Sequence, residues 1–404
     1  MAIIGLIYFI KQQKITALFI IIPIILGLLP FVAGSRFLIF SAPILAIGIG
    51  YFVQLLFSYE AQYKTIKHQS SRYISVAAVV FLGLYSSYSP NTFSMAKPAI
   101  LQLEYLPLLR QLNAHTPADS YIWTSWDMGY PIHYYLDKNT FADGQFSDGE
   151  KLYYLHFPLA ADNLALSANF MRFYSEQGVA GMKTLYQATG GEVEAFRLLK
   201  EVLSKKPKQA KKIIARKLPN LSATSADLTT VEQWLSFLYP KQNKAIYLLL
   251  HQRMLKTVTW FKQGNTDLAT GKEVGLPFFL GFENLLEDST GIQNDKIIID
   301  RQKRTITDKS TKVSQSLSHL LTRDNNGSKI TRFARLKRQQ YFAFEWDKTS
   351  GYGAVMSNEL SKTSLNKLFM RKKKSDYFQA ISLKSPAYQI WKVQGDVIPL
   401  FKNK

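Results

Sequence analysis

Cysteine is absent from the 404 residues, which excludes a disulfide framework and any thiolate metal site, and leaves the chain compatible with an oxidising compartment. The six histidines are scattered, with no close pair, so the spacing of a histidine metal site is missing too. Acidic residues are scarce at the start. None precedes Arg36, and residues 1–94 hold one acid against six Lys/Arg. No tandem repeat is evident.

The formal net charge is +21. Residues 1–94 account for +5 of it, which leaves +16 for the remainder. So basic a surface suits anionic lipid headgroups or anionic substrates. Nucleic acid is the rival partner, and an external position for the basic region argues against it.

The mean hydropathy of -0.07 averages two different materials. Residues 15–34, 37–57 and 73–89 are each apolar over about 20 residues, the length a bilayer-spanning helix needs. The opening AIIGLIYFI, residues 2–10, is too short to span and lacks the charged start and cleavage site of a signal peptide, so it reads as part of a further span. Lys11 and Lys14 lie on one loop, Arg36 alone on the next, and Lys64, Lys67 and Arg72 on the third. The positive-inside rule then puts residues 11–14 and 58–72 in the cytoplasm and everything after Ser89 outside. The spans lack paired intramembrane charges, which disfavours a pore or transporter.

The expected fold is a polytopic α-helical membrane region over 1–94, followed by a mixed α/β extracytoplasmic domain. Its part over 95–270 reads mainly helical, because PAILQLEYLPLLRQL, KLYYLHFPLAADNLALSANFMRFYSEQG and VEQWLSFLYP repeat apolar residues at helical spacing. SKKPKQAKKIIARK reads as a solvated helix face or linker, or else as a contact for membrane phosphates. From 271 to 404 short β-prone runs, KIIIDRQ, RTIT, YFAFEW and YQIWKV, alternate with turn compositions such as DNNGS. A strand-rich lobe is expected there.

One stretch concentrates chemistry: TSWDMGYPIHYYLDKNTFADGQ, residues 124–145. The indole of Trp126 only donates a hydrogen bond and the carboxylate of Asp127 only accepts, so the pair matches a hydroxyl, which does both. Gly129 permits a tight turn and Pro131 fixes the chain beyond it. The plainer alternative is an anchoring tryptophan with an N-capping aspartate.

SWDMGYP resembles the WWDYG signature of the catalytic subunit of oligosaccharyltransferases, especially the bacterial single-subunit type. The likeness continues through GYPIHYYLDKNTFADG. The upstream GSRFLIFSAPILAIGIGY looks like the span before that signature, and SDYFQAISLKSPAYQIWKV is a third, weaker match. The resemblance implies a metal-dependent glycosyltransferase of the bacterial inner membrane, multi-pass, with residues 90–404 in the periplasm. Such an enzyme moves a glycan from a polyprenyl-pyrophosphate-linked oligosaccharide to the Asn of acceptor proteins or peptides carrying Asn-X-Ser/Thr.

By resemblance Trp126 and Asp127 hold the acceptor hydroxyl. The second wall of the pocket falls on HQRMLKTVTW, which supplies Met254 and, where the family has isoleucine, Thr257. Arg36 meets the lipid pyrophosphate, a bidentate pairing suited to guanidinium, although a lone loop arginine that sets topology fits as well. Tyr130 falls near the first sugar, or is a packed interfacial tyrosine.

Three departures qualify the match. Ser125 stands where the family has its first tryptophan; its hydroxyl could still donate to a substrate, but with shorter reach. Met128 replaces the tyrosine, and His133 takes a position where arginine is common. The family also requires a divalent metal, Mn or Mg, held by acids of its amino-terminal half, and this chain has no such acids before Arg36. The chain is therefore expected to resemble the carboxy-terminal portion of a full transferase, as a split or truncated reading frame or an engineered piece would leave it, and to be inactive by itself; a separately encoded amino-terminal half is one candidate partner. The alternative is a noncatalytic, membrane-anchored external binding module. Finally, Asp324-Asn325-Asn326-Gly327-Ser328 has the extended acceptor form D-x-N-x-S, which makes Asn326 a candidate glycosylation site.

Overall fold

A computed structural model of the chain describes residues 2–28, 38–62, 77, 105–143, 149–221, 228–275, 277–289, 291–333 and 341–396. Two compact units divide it, Met1–Ala99 and Ile100–Lys404.

The first unit contains helices Ala2–Gln12, Lys14–Leu28 and Leu38–Gln62. Gly5 and Gly48 let two of them approach closely. A Cβ on Gly5 would lie 1.7 Å from the Gly48 carbonyl oxygen, and one on Gly48 would lie 2.2 Å from that of Ala2. Phe9 and Tyr51 pack edge to face beside this crossing. Outward, Ile3, Ile7, Leu18, Phe19 and Ile22 are exposed. Among the described residues no helix is long and apolar enough to cross a membrane. The described helices establish helical structure at 14–28 and 38–62, not a set of complete spans. Arg36 lies outside the described residues, as does the 73–89 stretch apart from Ala77.

The second unit is mixed α/β. In chain order its strands begin with β1 Tyr121–Trp123, β2 Asn139–Thr140, β3 Ile246–His251, β4 Phe279–Phe282, β5 Leu286–Glu287, β6 Ile292–Gln293 and β7 Ile297–Asp300. They continue with β8 Thr305–Asp308, β9 Ser314–Asp324, β10 Gly327–Arg332, β11 Phe342–Asp347, β12 Tyr352–Ser357, β13 Phe378–Lys384 and β14 Tyr388–Val393. One sheet has the order β13-β14-β3-β1-β2; the other runs β4-β12-β11-β9-β8-β7-β6-β5, with β10 paired to β9.

Strand β3, at the centre of the first sheet, is buried on both faces. Side chains alternate along a strand, so Ile246, Leu248 and Leu250 join one core, which includes helices 149–160, 164–189 and 192–203, while Tyr247 and Leu249 join another with Leu108, Leu112, Met128 and Ile132. That explains the unbroken apolar run IYLLL: a strand covered on both sides has no reason to alternate.

Buried ion pairs tie the second sheet to the segment entering β13. Glu345 on β11 is fully buried and receives Arg371, whose Nη2 lies 2.6 Å from Oε1, while Lys372 lies 2.6 Å from Asp347.

Candidate functional site

Strands β1 and β3 are parallel neighbours, with Trp123 opposite Leu248. Their carboxyl ends therefore open on the same edge, where parallel sheets place ligands. The segment after β1 makes a single 3₁₀ turn, Trp126–Met128, and then the helix Gly129–Leu136. The segment after β3 becomes the helix Gln252–Thr257. Residues 126 apart in sequence thus meet.

Only glycine fits at 129. A Cβ there would lie 2.4 Å from the Ala142 carbonyl oxygen and 2.6 Å from the Asp143 Cβ. Gly129→Ala must push that backbone away, and is expected to cost about 2 kcal/mol, the range of a modest overpacking. Urea denaturation checks this: an unchanged midpoint would contradict the close approach. Met128, just before the following helix, and Ile132 on it face the core, leaving Tyr130 and Tyr134 exposed.

Ser125, Trp126, Asp127, Met254 and Thr257 all line one small cavity of about 110 Å³, whose other lining residues include His156, Arg253 and Trp260. Trp126 remains 39% exposed, so it is not a buried anchor. Asp127 is no N-cap either: Ser125 takes that position and makes no side-chain capping bond. The hydrogen of Ser125 Oγ goes to Asp127 Oδ1, and the same oxygen lies 3.1 Å from His251 Nε2. Arg253 Nε lies 3.2 Å from Asp127 Oδ2. The Asp127 carboxylate is thus held on both oxygens, yet each oxygen can accept again. Ser125 orients Asp127 and has no second hydrogen for a ligand.

Sequence reasoning did not single out His251, Arg253, His156 or Trp260. His251 and Arg253 lie inside the quoted HQRMLKTVTW, but a histidine at the end of an apolar run gives no signal of its direction. Burial pushes His251 down to about 4, with the attraction of Asp127 opposing and Arg253 adding to the shift. Burial likewise lowers His156 to about 4, opposed by its backbone neighbour at Leu152, by Asp127 and by Gln263. Both rings are neutral at pH 7, so among the described residues Arg253 supplies the only formal charge beside Asp127 in this cavity.

A strained residue links Thr257 and Thr259 of the cavity wall. Val258 joins the helix Gln252–Thr257 to Thr259–Gly264 at φ 45°, a conformation a β-branched side chain rarely adopts. Such strain persists where packing over-determines it. Trp260 supplies part of that packing: it is buried and its indole donates to the Met254 carbonyl at 3.0 Å.

Tyr130 sits apart from this cavity. It is 52% exposed and lines a larger cleft of about 620 Å³ with Tyr121, His133, Phe141 and Tyr174. His133 Nε2 lies 2.9 Å from Thr140 Oγ1. Asn326 occupies the two-residue turn between β9 and β10, and its N–H donates to Asp324 Oδ1 at 2.8 Å.

The donor set does not suit a divalent metal. The cavity offers one carboxylate, already paired with an arginine, and among the described residues no three His, Asp or Glu side chains converge.

Comparison with known proteins agrees with the motif. Residues 118–270 match the family model described as the STT3/PglB/AglB core domain. Two Campylobacter jejuni proteins named undecaprenyl-diphosphooligosaccharide–protein glycotransferase are 30% identical over 177 residues, covering 43% of this chain and 23% of theirs. The dolichyl-phosphooligosaccharide-protein glycotransferase of Methanococcus voltae is 26% identical over 197 residues, 47% of this chain and 21% of its own. Among solved structures, the crystal structure of the C. jejuni PglB C-terminal domain covers 71% of this chain and 98% of that one, with 18% identity and a TM-score of 0.42. The chain spans less than a quarter of the length of these curated relatives. The resemblance to the oligosaccharyltransferase catalytic subunit family, first carried by SWDMGYP, is upheld by the family model and the curated relatives.

Proposed function

We propose that this chain is the part of an N-oligosaccharyltransferase that recognises the Asn-X-Ser/Thr acceptor and the lipid-linked pyrophosphate, in transfer of a glycan from a lipid carrier to a protein asparagine. One observation carries the reading: segments 125–127 and 253–257 close on a single small cavity holding an exposed indole donor and a carboxylate. A hydroxyl entering it donates to Asp127 and accepts from Trp126 Nε1, with Met254 and Thr257 against its methyl side. An alanine peptide leaves both groups unanswered, and a site built for a hydroxyl rejects analogues lacking it by roughly 10⁴ at the limit.

The remaining roles follow the resemblance. Arg36 pairs with the lipid pyrophosphate and Tyr130 meets the first sugar. Residues 15–34, 37–57 and 73–89 cross the bacterial inner membrane, which leaves 90–404 in the periplasm. The exposed isoleucines of the helices Ala2–Gln12 and Lys14–Leu28 support a lipid setting, since so much contiguous apolar surface calls for cover. The divalent metal belongs to residues outside this chain, supplied by an amino-terminal half, and no step here runs through it. Asn326, on its exposed turn, is a site that such a pathway modifies.

The test is direct binding. With the full chain in detergent, a labelled Asn-Gly-Thr peptide is expected to bind at least tenfold more tightly than Asn-Gly-Ala, as loss of a hydrogen bond to a charged group implies. Equal affinities would reject the assignment.

A further inference from the structure

A second opening beside the site is a cleft of about 540 Å³ whose floor is strand β4 and whose opposite wall carries Gln252 and Lys256. Those two residues belong to the same short helix that turns Met254 and Thr257 into the hydroxyl cavity. Strand β4 is the end of its sheet, so one side of its backbone has no strand partner. The register shows which groups face the cleft. Ser357 N–H donates to the Phe278 carbonyl at 3.0 Å, and Leu280 and Phe282 pair opposite Val355 and Gly353. Because bonded and non-bonded pairs alternate in an antiparallel ladder, the N–H and C=O of Phe279 and Gly281 point outward. Among the described residues they have no hydrogen-bond partner.

A second observation points the same way. Tyr352 is 3% exposed, lines the cleft, and its hydroxyl, beside Gln252 and over Gly281, makes no well-formed hydrogen bond. Charge does not select the occupant: Lys256 and Lys296 are offset by Glu283 and Asp295. What the cleft offers is main-chain donors and acceptors along an open strand.

We propose that the β4 edge binds the stretch of acceptor polypeptide flanking the Asn-X-Ser/Thr sequence, as an added extended strand. The proposal rests on the hydroxyl-cavity reading above. Strand addition takes its affinity from backbone bonds, which suits an enzyme whose acceptors share only a short sequence. The distance agrees. Gln252 and Thr257 are about 8 Å apart along their helix at the rise of 1.5 Å per residue, and an extended chain covers that in roughly three residues. The flank engaged is therefore the third to fifth residue from the hydroxyl.

The test compares Phe279→Pro with Phe279→Ala in the full chain. Both lose the same ring, but only proline removes the outward N–H, and an edge strand tolerates it there. Peptides of the Asn-Gly-Thr core, alone and extended by five residues at either end, are titrated against each variant. One extension is expected to gain affinity about five- to tenfold, the worth of one or two backbone bonds, and the gain should vanish in Phe279→Pro yet persist in Phe279→Ala. N-methylation along the active extension should weaken binding at every second residue, which needs no protein variant at all. A gain that survives Phe279→Pro, an absent gain, or N-methyl effects without that alternation overturns the β4 proposal while leaving the cavity intact. Failure of the core to distinguish threonine from alanine overturns both.

Discussion

Acidification from pH 6.5 to 4 is expected to strip the second unit of most of its stability. His156 and His251 are held neutral by burial, each with its pKa lowered from 6.5 to about 4. In the unfolded chain both take up protons as the pH falls through 6.5; in the folded chain they do not until about pH 4. Stability is therefore full above pH 6.5 and falls across that window, where the unfolded state binds more protons. A shift of this size corresponds to on the order of 3 kcal/mol per histidine. Two such losses rival the whole stability of a domain. Urea unfolding at pH 7, 5.5 and 4.5 measures the effect. His156→Leu, which fills the same space without a titrating group, should flatten the pH slope. An identical slope in wild type and variant would contradict the assignment of this histidine.

The second large effect concerns Asp127. Among the described residues its carboxylate is the cavity's only full negative charge, and it already holds Ser125 and Arg253. Asp127→Ala should weaken binding of an Asn-Gly-Thr peptide by about 100-fold, the cost of deleting a charged hydrogen-bond partner and its orienting contacts. Binding of Asn-Gly-Ala should change little. The fold should survive, because Arg253 is 45% exposed in its side chain and regains water. Equal weakening for both peptides would mean that Asp127 shapes the cavity without touching the hydroxyl. Ser125→Ala is expected to have a smaller effect in the same direction, since it loosens Asp127 without removing it.

Much of the site could be read in the residues themselves. Residues of SWDMG and of HQRMLKT line the cavity; the donor and acceptor of Trp126 and Asp127 are legible as local chemistry, whereas Met254 and Thr257 are reached only through the family resemblance. The two buried histidines, His156 and His251, were not legible. His251 closes β3, an apolar run whose burial on both faces erases the two-residue period that marks a strand. β1, at three residues, is too short to show any period. Hence the stretch from 95 to 270 reads as helix, although the structure threads β1, β2 and β3 through it and pairs β3 with β14. That pairing joins His251 to Tyr388, a separation no local pattern encodes. In contrast, KIIIDRQ and YQIWKV contain β7 and β14, and RTIT and YFAFEW cover all but the last residue of β8 and β11, because each run is β-branched or aromatic and bounded by turn residues. DNNGS contains the two-residue turn between β9 and β10 for the same reason.

The most direct trial of the central claim is where an acceptor lies when bound. A peptide carrying Asn-X-Thr with a diazirine residue immediately after the threonine can be irradiated on the full chain and the adducts mapped by mass spectrometry. Labels are predicted at residues 124–128 and 251–260, and should disappear when excess unlabelled Asn-X-Thr peptide is added but not when Asn-X-Ala is. Labels concentrated elsewhere, or competed equally by both peptides, would contradict the account.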